Sequence, residues 1–314
     1  GAEEYKPTEY LYGEDDRVLT NLELENRIIK EDEKLLNSRS LVMIQCIGCR
    51  NEERNYCSRI CCNQSIKNAL KLKKINPEMD VHILFRDIRS YGFAEDYYRE
   101  ASNSDVRFIR YEPENQPQVE AVTAEGRPVL RVAIDDPILG QKIAIDADFI
   151  SLAAAVVPPG ANQEISQLFK VPLGSDEFFK EAHVKLRPVE FGTQGVFLCG
   201  MAHYPKHIPE SINQAYGAAS RALTLLSHDT VTVSGAVCEV EEGRCMGCGA
   251  CITACTYNAI EFRKTKQGPK AVVNPVLCKG DGLCNAKCPT GAIYLKHFTD
   301  EDIVSQIDAA IGDL

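Results

Sequence analysis

Two cysteine runs constrain this chain more than any other feature: CMGCGACITACTYNAI from Cys245 and CKGDGLCNAKCPTGAI from Cys278. They repeat at a single offset of 33 residues, which pairs Cys245 with Cys278, Cys251 with Cys284 and Cys255 with Cys288. Both copies end in Ala-Ile, followed by Glu261-Phe262 or Tyr294-Leu295. The break is at Asp281, which stands in register with Cys248 inside an otherwise intact half-repeat. Repetition of one supersecondary unit is a fold signal in its own right.

With 314 residues the chain has room for two or three domains. A net charge of −10 argues against nucleic acid or an anionic membrane as partner. The longest apolar run, Phe149–Val157, is about half the length of a spanning helix. No charged-then-apolar leader is visible, and an opening Gly1-Ala2-Glu3 without Met is expected of a fragment or a processed chain. Of 14 cysteines, five lie between 46 and 62 and seven between 245 and 288. Cys199 and Cys238 stand apart and are expected to pack as small core residues. Without an export signal, clustered cysteines read as metal ligands of a cytoplasmic protein more readily than as disulfides.

The spacing Cys245-x2-Cys248-x2-Cys251-x3-Cys255 is the bacterial two-cluster ferredoxin run, in which the fourth cysteine of each run crosses to the other cluster. One [4Fe-4S] cubane is then expected on Cys245, Cys248, Cys251 and Cys288, and the other on Cys278, Cys284 and Cys255. Small residues such as Gly247, Gly249 and Ala250 let the backbone wrap three thiolates around one cluster. Two readings of Asp281 stand side by side. It is a hard oxygen ligand to one iron, or a solvated turn residue beside a [3Fe-4S] cluster with three protein ligands. Tetrahedral zinc is the rival for the whole region; it would make the chain a non-catalytic scaffold.

Upstream, residues 41–46 read as a buried strand, residues from Ser58 onward as a helix, Val81–Phe85 as a strand, Tyr91–Ala101 as a helix and Val106–Tyr111 as a strand. That alternation predicts an α/β fold with a parallel sheet of the Rossmann, dinucleotide-binding type. Its first loop should carry a glycine-rich phosphate turn. Instead the chain has CIGCRNEERNYCSRICC there, which points to a metal cluster in place of a pyrophosphate.

This stretch, with VHILFRDIRSYGFAEDYYREA after it, resembles the A subunits of the heterodisulfide reductases, which carry a Cys…Tyr-Cys-Ser-x-x-Cys-Cys motif for a [4Fe-4S] cluster near a flavin. The resemblance implies Cys46, Cys57, Cys61 and Cys62 as ligands, Cys49 as a spare thiol or a competing ligand, and Lys67 near the flavin ring. Residues 188–222, with a buried strand expected at Gly195–Leu198, a Gly200 turn and a helix from near Pro209, resemble the flavin-contacting segment of thioredoxin-reductase-like proteins. The family would place Gly200, Met201, His207 and Ile208 beside FAD. The family's opening glycine-rich Rossmann turn has no counterpart here. The resemblance therefore covers the C-terminal portion of a full-length relative and implies an FAD site that is incomplete in this chain.

The expected organisation is a partial flavoprotein region over 1–228, a ferredoxin domain over 229–297 and a C-terminal helix over 298–314. Within the first, 11–150 is the nucleotide-binding-like subdomain with the iron–sulfur motif, and 1–10 with 151–228 form the rest of the FAD domain. Strands at Pro128–Ile134, Lys142–Ile145 and Phe149–Val157 would lead back from the subdomain, and 227–237 would be a polar linker with a short strand. Thr299 is expected to cap the last helix, whose Ile303, Ile307 and Ile311 would cover the ferredoxin unit or dock a partner.

The family implies an electron-transfer subunit passing single electrons between FAD and about three [4Fe-4S] clusters, with flavin-based bifurcation as an extension. Its partners would be subunits of an anaerobic redox complex: heterodisulfide-reductase-like B and C subunits, a hydrogenase, a dehydrogenase or a ferredoxin. The substrate site would lie on another subunit. A self-contained NAD(P)H-linked flavin disulfide oxidoreductase with a fused ferredoxin is the enzymatic rival; the missing glycine turn argues against it.

Overall fold

The apolar run Ser40–Ile47 forms the middle strand of a five-stranded sheet in a computed structural model that describes residues 1–230 and 235–312. The elements before and around it are β1 (Glu3–Glu4), β2 (Val18–Thr20), α1 (Asn21–Ile29), α2 (Glu33–Leu36), β3 (Ser40–Ile47), α3 (Cys61–Ile75), β4 (Asp80–Phe85), α4 (Ala94–Asn103) and β5 (Val106–Arg110). Then come β6 (Gln118–Ala124), β7 (Arg127–Asp136), β8 (Gln141–Ala147), β9 (Phe149–Ala154) and β10 (Val156–Val157). The sheet order is β2-β9-β3-β4-β5 and every pairing is parallel, as the alternation of strands and helices predicts.

Both faces of this sheet are covered, so β3 is a continuous apolar run rather than an alternating one. Leu41 and Met43 face a core shared with Leu24, Ile66, Leu72 and Ile83. Their neighbours Val42 and Ile44 face the opposite core, with Leu130, Val132 and Ile134 from the antiparallel sheet β6-β7-β8. The two-residue period of a strand sends alternate side chains to the two sides. Thr20 starts α1 with a capping box, its hydroxyl taking the Glu23 amide while the Glu23 carboxylate takes the Thr20 amide.

Two expected strands differ. Phe149–Val157 is not one strand: β9 ends at Ala154, and Glu3–Glu4 captures Val156–Val157 as a separate antiparallel pair. Gly195–Leu198 forms no regular strand. Gly195 turns at φ +79°, and the segment folds back on its own neighbours, with the Leu198 amide donating to Val189 O at 2.9 Å and a single bridge between Glu190 and Phe197. A segment this short satisfies its backbone locally and needs no ladder.

Chain contacts define two compact units, Gly1–Gly160 with Gly174–Phe178 and Cys199–Gln214, and Ala161–Leu173 with Phe179–Leu198 and Ala215–Leu314. The remaining elements are α5 (Asn162–Phe169), α6 (Ile208–Leu226), β11 (Cys238–Val240), α7 (Ala250–Ala254), β12 (Ile260–Thr265), β13 (Gly268–Val273), α8 (Leu283–Lys287), β14 (Ile293–Leu295) and α9 (Asp300–Gly312). Strands β11 and β14 pair antiparallel, as do β12 and β13. The linker strand expected within 227–237 falls in part on 231–234, outside the described residues. Helix α9 starts at the Thr299 cap as expected, and none of its described residues is buried. No helix among the described residues is long and apolar enough to cross a membrane.

Candidate metal centres

The cysteine repeat is a repeat of structure. Each half runs strand, cysteine run, short helix, strand: β11 to α7 to β12, then β13 to α8 to β14. Both helices start after a glycine in the left-handed region, Gly249 at φ +79° and Gly282 at φ +74°. Both runs also turn at an earlier left-handed glycine, Gly247 at φ +72° and Gly280 at φ +65°. Both end on an extended cysteine whose sulfur accepts a backbone hydrogen bond. Ala259 N–H donates to Cys255 Sγ at 3.4 Å, and Ala292 N–H to Cys288 Sγ at 3.2 Å.

The structure brings Cys245, Cys248, Cys251 and Cys288 to the lining of one cavity, with Ala271 and Val240 beside them. Cys255, Cys278 and Cys284 gather in the same small core, together with Cys238. Burial holds the Cys251 and Cys284 thiols above their ordinary value. Asp281 is exposed, and its carboxylate accepts from the Leu283 amide at 3.2 Å. Among the described residues, no three His, Cys, Asp or Glu side chains converge on one point as the ligands of a single ion would. All-sulfur sets held on glycine-rich loops with amides aimed at the sulfurs suit iron–sulfur clusters, in which each thiolate takes its own iron.

The second group sits where β3 ends. A bulge between Ile44 and Ile47 shifts the register, and Cys46 adopts φ +65°, unusual for a residue with a Cβ. Arg50 and Arg59 in the same loop also have positive φ. Such strain persists only where surrounding contacts over-determine it, and it clusters at functional sites. Gly48 is required here: at φ +74° it lies under the Tyr5 ring, which would clash with any Cβ. Cys61 and Cys62 open α3 and are both buried.

The thiols in this loop couple in pairs. Hydrogen bonding from Cys46, with help from Ser58, draws Cys49 down to about 7, while its partner Cys46 is pushed up. The Cys61–Cys62 hydrogen bond likewise raises Cys61 and lowers Cys62. Arg59 N–H donates to Cys57 Sγ at 3.3 Å, and Arg50 reaches Cys46 Sγ at 3.8 Å. Cys49, expected as a spare, is 2% exposed and sits inside the thiol group. Burial of that position was not legible from its place in the motif.

The expected flavin contacts divide. Gly200 begins a 3-10 turn at φ +66° with open space where a Cβ would stand, its amide donating to Gln214 Oε1 and its carbonyl accepting from Lys206 Nζ, both at 2.9 Å. Met201 packs against the cluster of Tyr56, Val156 and Phe178. His207 lies edge-on to Tyr91 at 5.9 Å, and Ile208 is exposed. Lys67 forms a 2.5 Å ion pair with Glu25. Cys199 is exposed, against the core position expected for it. Sequence reasoning missed Arg59, which joins the cysteine loop to the segment after Cys199 through Glu210.

Comparison with known proteins places these features among relatives. Residues 244–292 match a family described as a 4Fe-4S dicluster domain. The iron-sulfur A subunit of the CoB–CoM heterodisulfide reductase of Methanocaldococcus jannaschii is 36% identical over 329 aligned positions, covering 99% of this chain and 49% of that protein. The A subunit of the H(2):CoB-CoM heterodisulfide,ferredoxin reductase of Methanothermobacter thermautotrophicus is 36% identical over 329 positions, covering 100% of this chain and 48% of the relative. The chain thus spans about half the length of the curated relatives it matches. The thioredoxin reductase of T. acidophilum superposes loosely, with a TM-score of 0.47 at 13% identity over 73% of this chain and 64% of that one.

Proposed function

Because this chain belongs to the family of heterodisulfide reductase A subunits, we propose that it is the electron-relay part of an oxidoreductase subunit. When bound, iron–sulfur clusters exchange electrons singly and FAD exchanges them in pairs. The chain's own residues hold and tune those centres. In this reading Cys46, Cys57, Cys61 and Cys62 hold one cluster at the end of β3. Cys245, Cys248, Cys251 and Cys288 hold a second, and Cys255, Cys278 and Cys284 provide three thiolates to a third.

The observation that carries this reading is the pair of cysteine cradles related by the 33-residue repeat. Backbone amides on Cys57, Cys255 and Cys288 sulfurs stabilise negative charge there and so raise the potential of whatever those sulfurs ligate. Gly200, Met201, His207 and Ile208 border the flavin, with Lys67 near its ring, and this chain holds only part of the FAD site. Bifurcation at that flavin is the natural extension, since it would feed one-electron paths from a two-electron centre. The partners are other members of a cytoplasmic redox complex, and the substrate disulfide is handled there.

The test is iron, acid-labile sulfide and flavin quantification with EPR on protein purified without oxygen. The reading expects iron and sulfide for three clusters per chain and reducible EPR signals. A colourless protein with stoichiometric zinc would end it.

A further inference from the structure

We propose that Cys238 is the fourth thiolate of the second half-site, replacing the register position that Asp281 occupies. The assignment rests on the proposed function, in which Cys255, Cys278 and Cys284 hold an iron–sulfur cluster.

The repeat extends beyond the cysteine runs. At the same offset of 33 residues, Ala236 matches Pro269, Cys238 matches Ala271 and Val240 matches Val273. The structure follows this register closely. The Pro269 carbonyl crowds Gly247 where a Cβ would stand, and the Ala236 carbonyl crowds Gly280 in the same way. Residue 271 is therefore the structural counterpart of residue 238. Ala271 is 3% exposed and lines the first cavity together with Cys245, Cys248, Cys251 and Cys288. Its counterpart Cys238 holds the same place over the second half-site, with a thiol where the first has only a methyl.

Distances bear this out. Cys238 is 2% exposed, and its sulfur lies 3.4 Å from Cys284 Sγ. Its backbone amide donates to Cys278 Sγ at 3.4 Å. Cys255 packs in the same core. The second half-site thus has four thiols, as the first has, but one of them comes from a strand rather than from the run. Asp281, meanwhile, is exposed and engaged with the Leu283 amide.

The plainer role for Cys238 is a small core residue. Ala271 shows that a small side chain suffices at this place, so packing alone does not call for sulfur. The thiol occurs at the one half-site whose run lacks its second cysteine. Soft thiolate is also the donor that iron–sulfur clusters select over a hard carboxylate. The two changes compensate: the run loses a sulfur at 281 and the opening strand supplies one at 238.

The experiment uses the full-length protein, purified anaerobically with its clusters, as wild type, Cys238→Ala, Cys238→Ser, Asp281→Asn and the double variant Cys238→Ala/Asp281→Cys. The readouts are iron and sulfide per chain, EPR and Mössbauer spectra. Cys238→Ala is expected to lose one iron per chain and to show the isotropic EPR signal of an oxidised three-iron centre. Asp281→Asn should leave both unchanged. The double variant should recover the lost iron, which also shows that alanine at 238 does not break the fold; Cys238→Ser keeps the size of the side chain and serves if the alanine variant is insoluble.

Three results would overturn the assignment. One is Cys238→Ala with full iron and an unchanged spectrum. Another is conversion to a three-iron centre by Asp281→Asn. The third is a Cys238–Cys284 disulfide in the native protein by mass spectrometry. A wild type that carries no iron at the second half-site would instead overturn the proposed function itself, and it would do so before any substitution is made.

Discussion

Arg59 and Glu210, 151 residues apart in the chain, meet in a 2.6 Å ion pair. Arg59 also donates to Tyr91 Oη at 2.9 Å and to Pro205 O at 3.3 Å, while its own amide holds Cys57 Sγ. One guanidinium therefore ties the strained cysteine loop to the segment that begins at Cys199. Both side chains are partly exposed, so the pair itself contributes about 1 kcal/mol or less. The larger effect is on the loop. Arg59→Ala should release iron from the first cluster to a ferrous chelator several-fold faster, with EPR of the other clusters unchanged. Arg59→Lys should restore little, because lysine cannot reach three acceptors in a fixed fork.

Gly247 and Gly280 are equivalent by structure and should fail separately. Each has positive φ, and each is closed off by a carbonyl that leaves no space for a Cβ. Alanine at either position costs about 1–2 kcal/mol from the left-handed backbone alone, before the clash is added. Gly247→Ala should deplete the cluster on Cys245, Cys248, Cys251 and Cys288; Gly280→Ala should deplete the other. Iron analysis with EPR distinguishes them, and equal loss of both clusters from either variant would argue against two independent cradles.

Glu190 is buried between Arg187, at 2.8 Å, and Arg221. Burial pushes its carboxyl up, but the hydrogen bonds from Arg221 and Arg187 outweigh that and hold it below its ordinary 4.5. A lowered acid stabilises the fold at pH values above its unfolded pKa and loses that contribution as pH falls through the folded one. Glu190→Gln should therefore cost about 2 kcal/mol at neutral pH. The gap between variant and wild type should close as the solution is acidified below about pH 4. Denaturant unfolding across pH checks both points.

Thr299 caps α9 through a hydroxyl that accepts from the Asp302 amide at 3.2 Å and donates to the Asp302 carboxylate at 2.7 Å. None of the described residues of this helix is buried, so its persistence leans on local terms. Thr299→Ala should cost about 1 kcal/mol and raise amide exchange across residues 303–311 several-fold without moving the global unfolding midpoint. Exchange left unchanged would show that the Thr299 cap does not set the stability of this helix.

Much of this protein is written locally. Cysteine spacing, left-handed glycines and strand–helix alternation each act over a few residues, so the parallel sheet, the Cys245 and Cys278 runs and the Thr299 cap were legible from the sequence. Neither the exposure of Cys199, nor the burial of Cys49, nor the meeting of Cys238 with Cys284 could be read that way. Each depends on tertiary contacts; for Cys238 it is the pairing of β11 with β14 across a long stretch of chain. Local spacing placed a thiol beside its neighbours in the run; only strand pairing could decide whether a distant one joins them, because long-range contacts form where burial and backbone pairing are satisfied together.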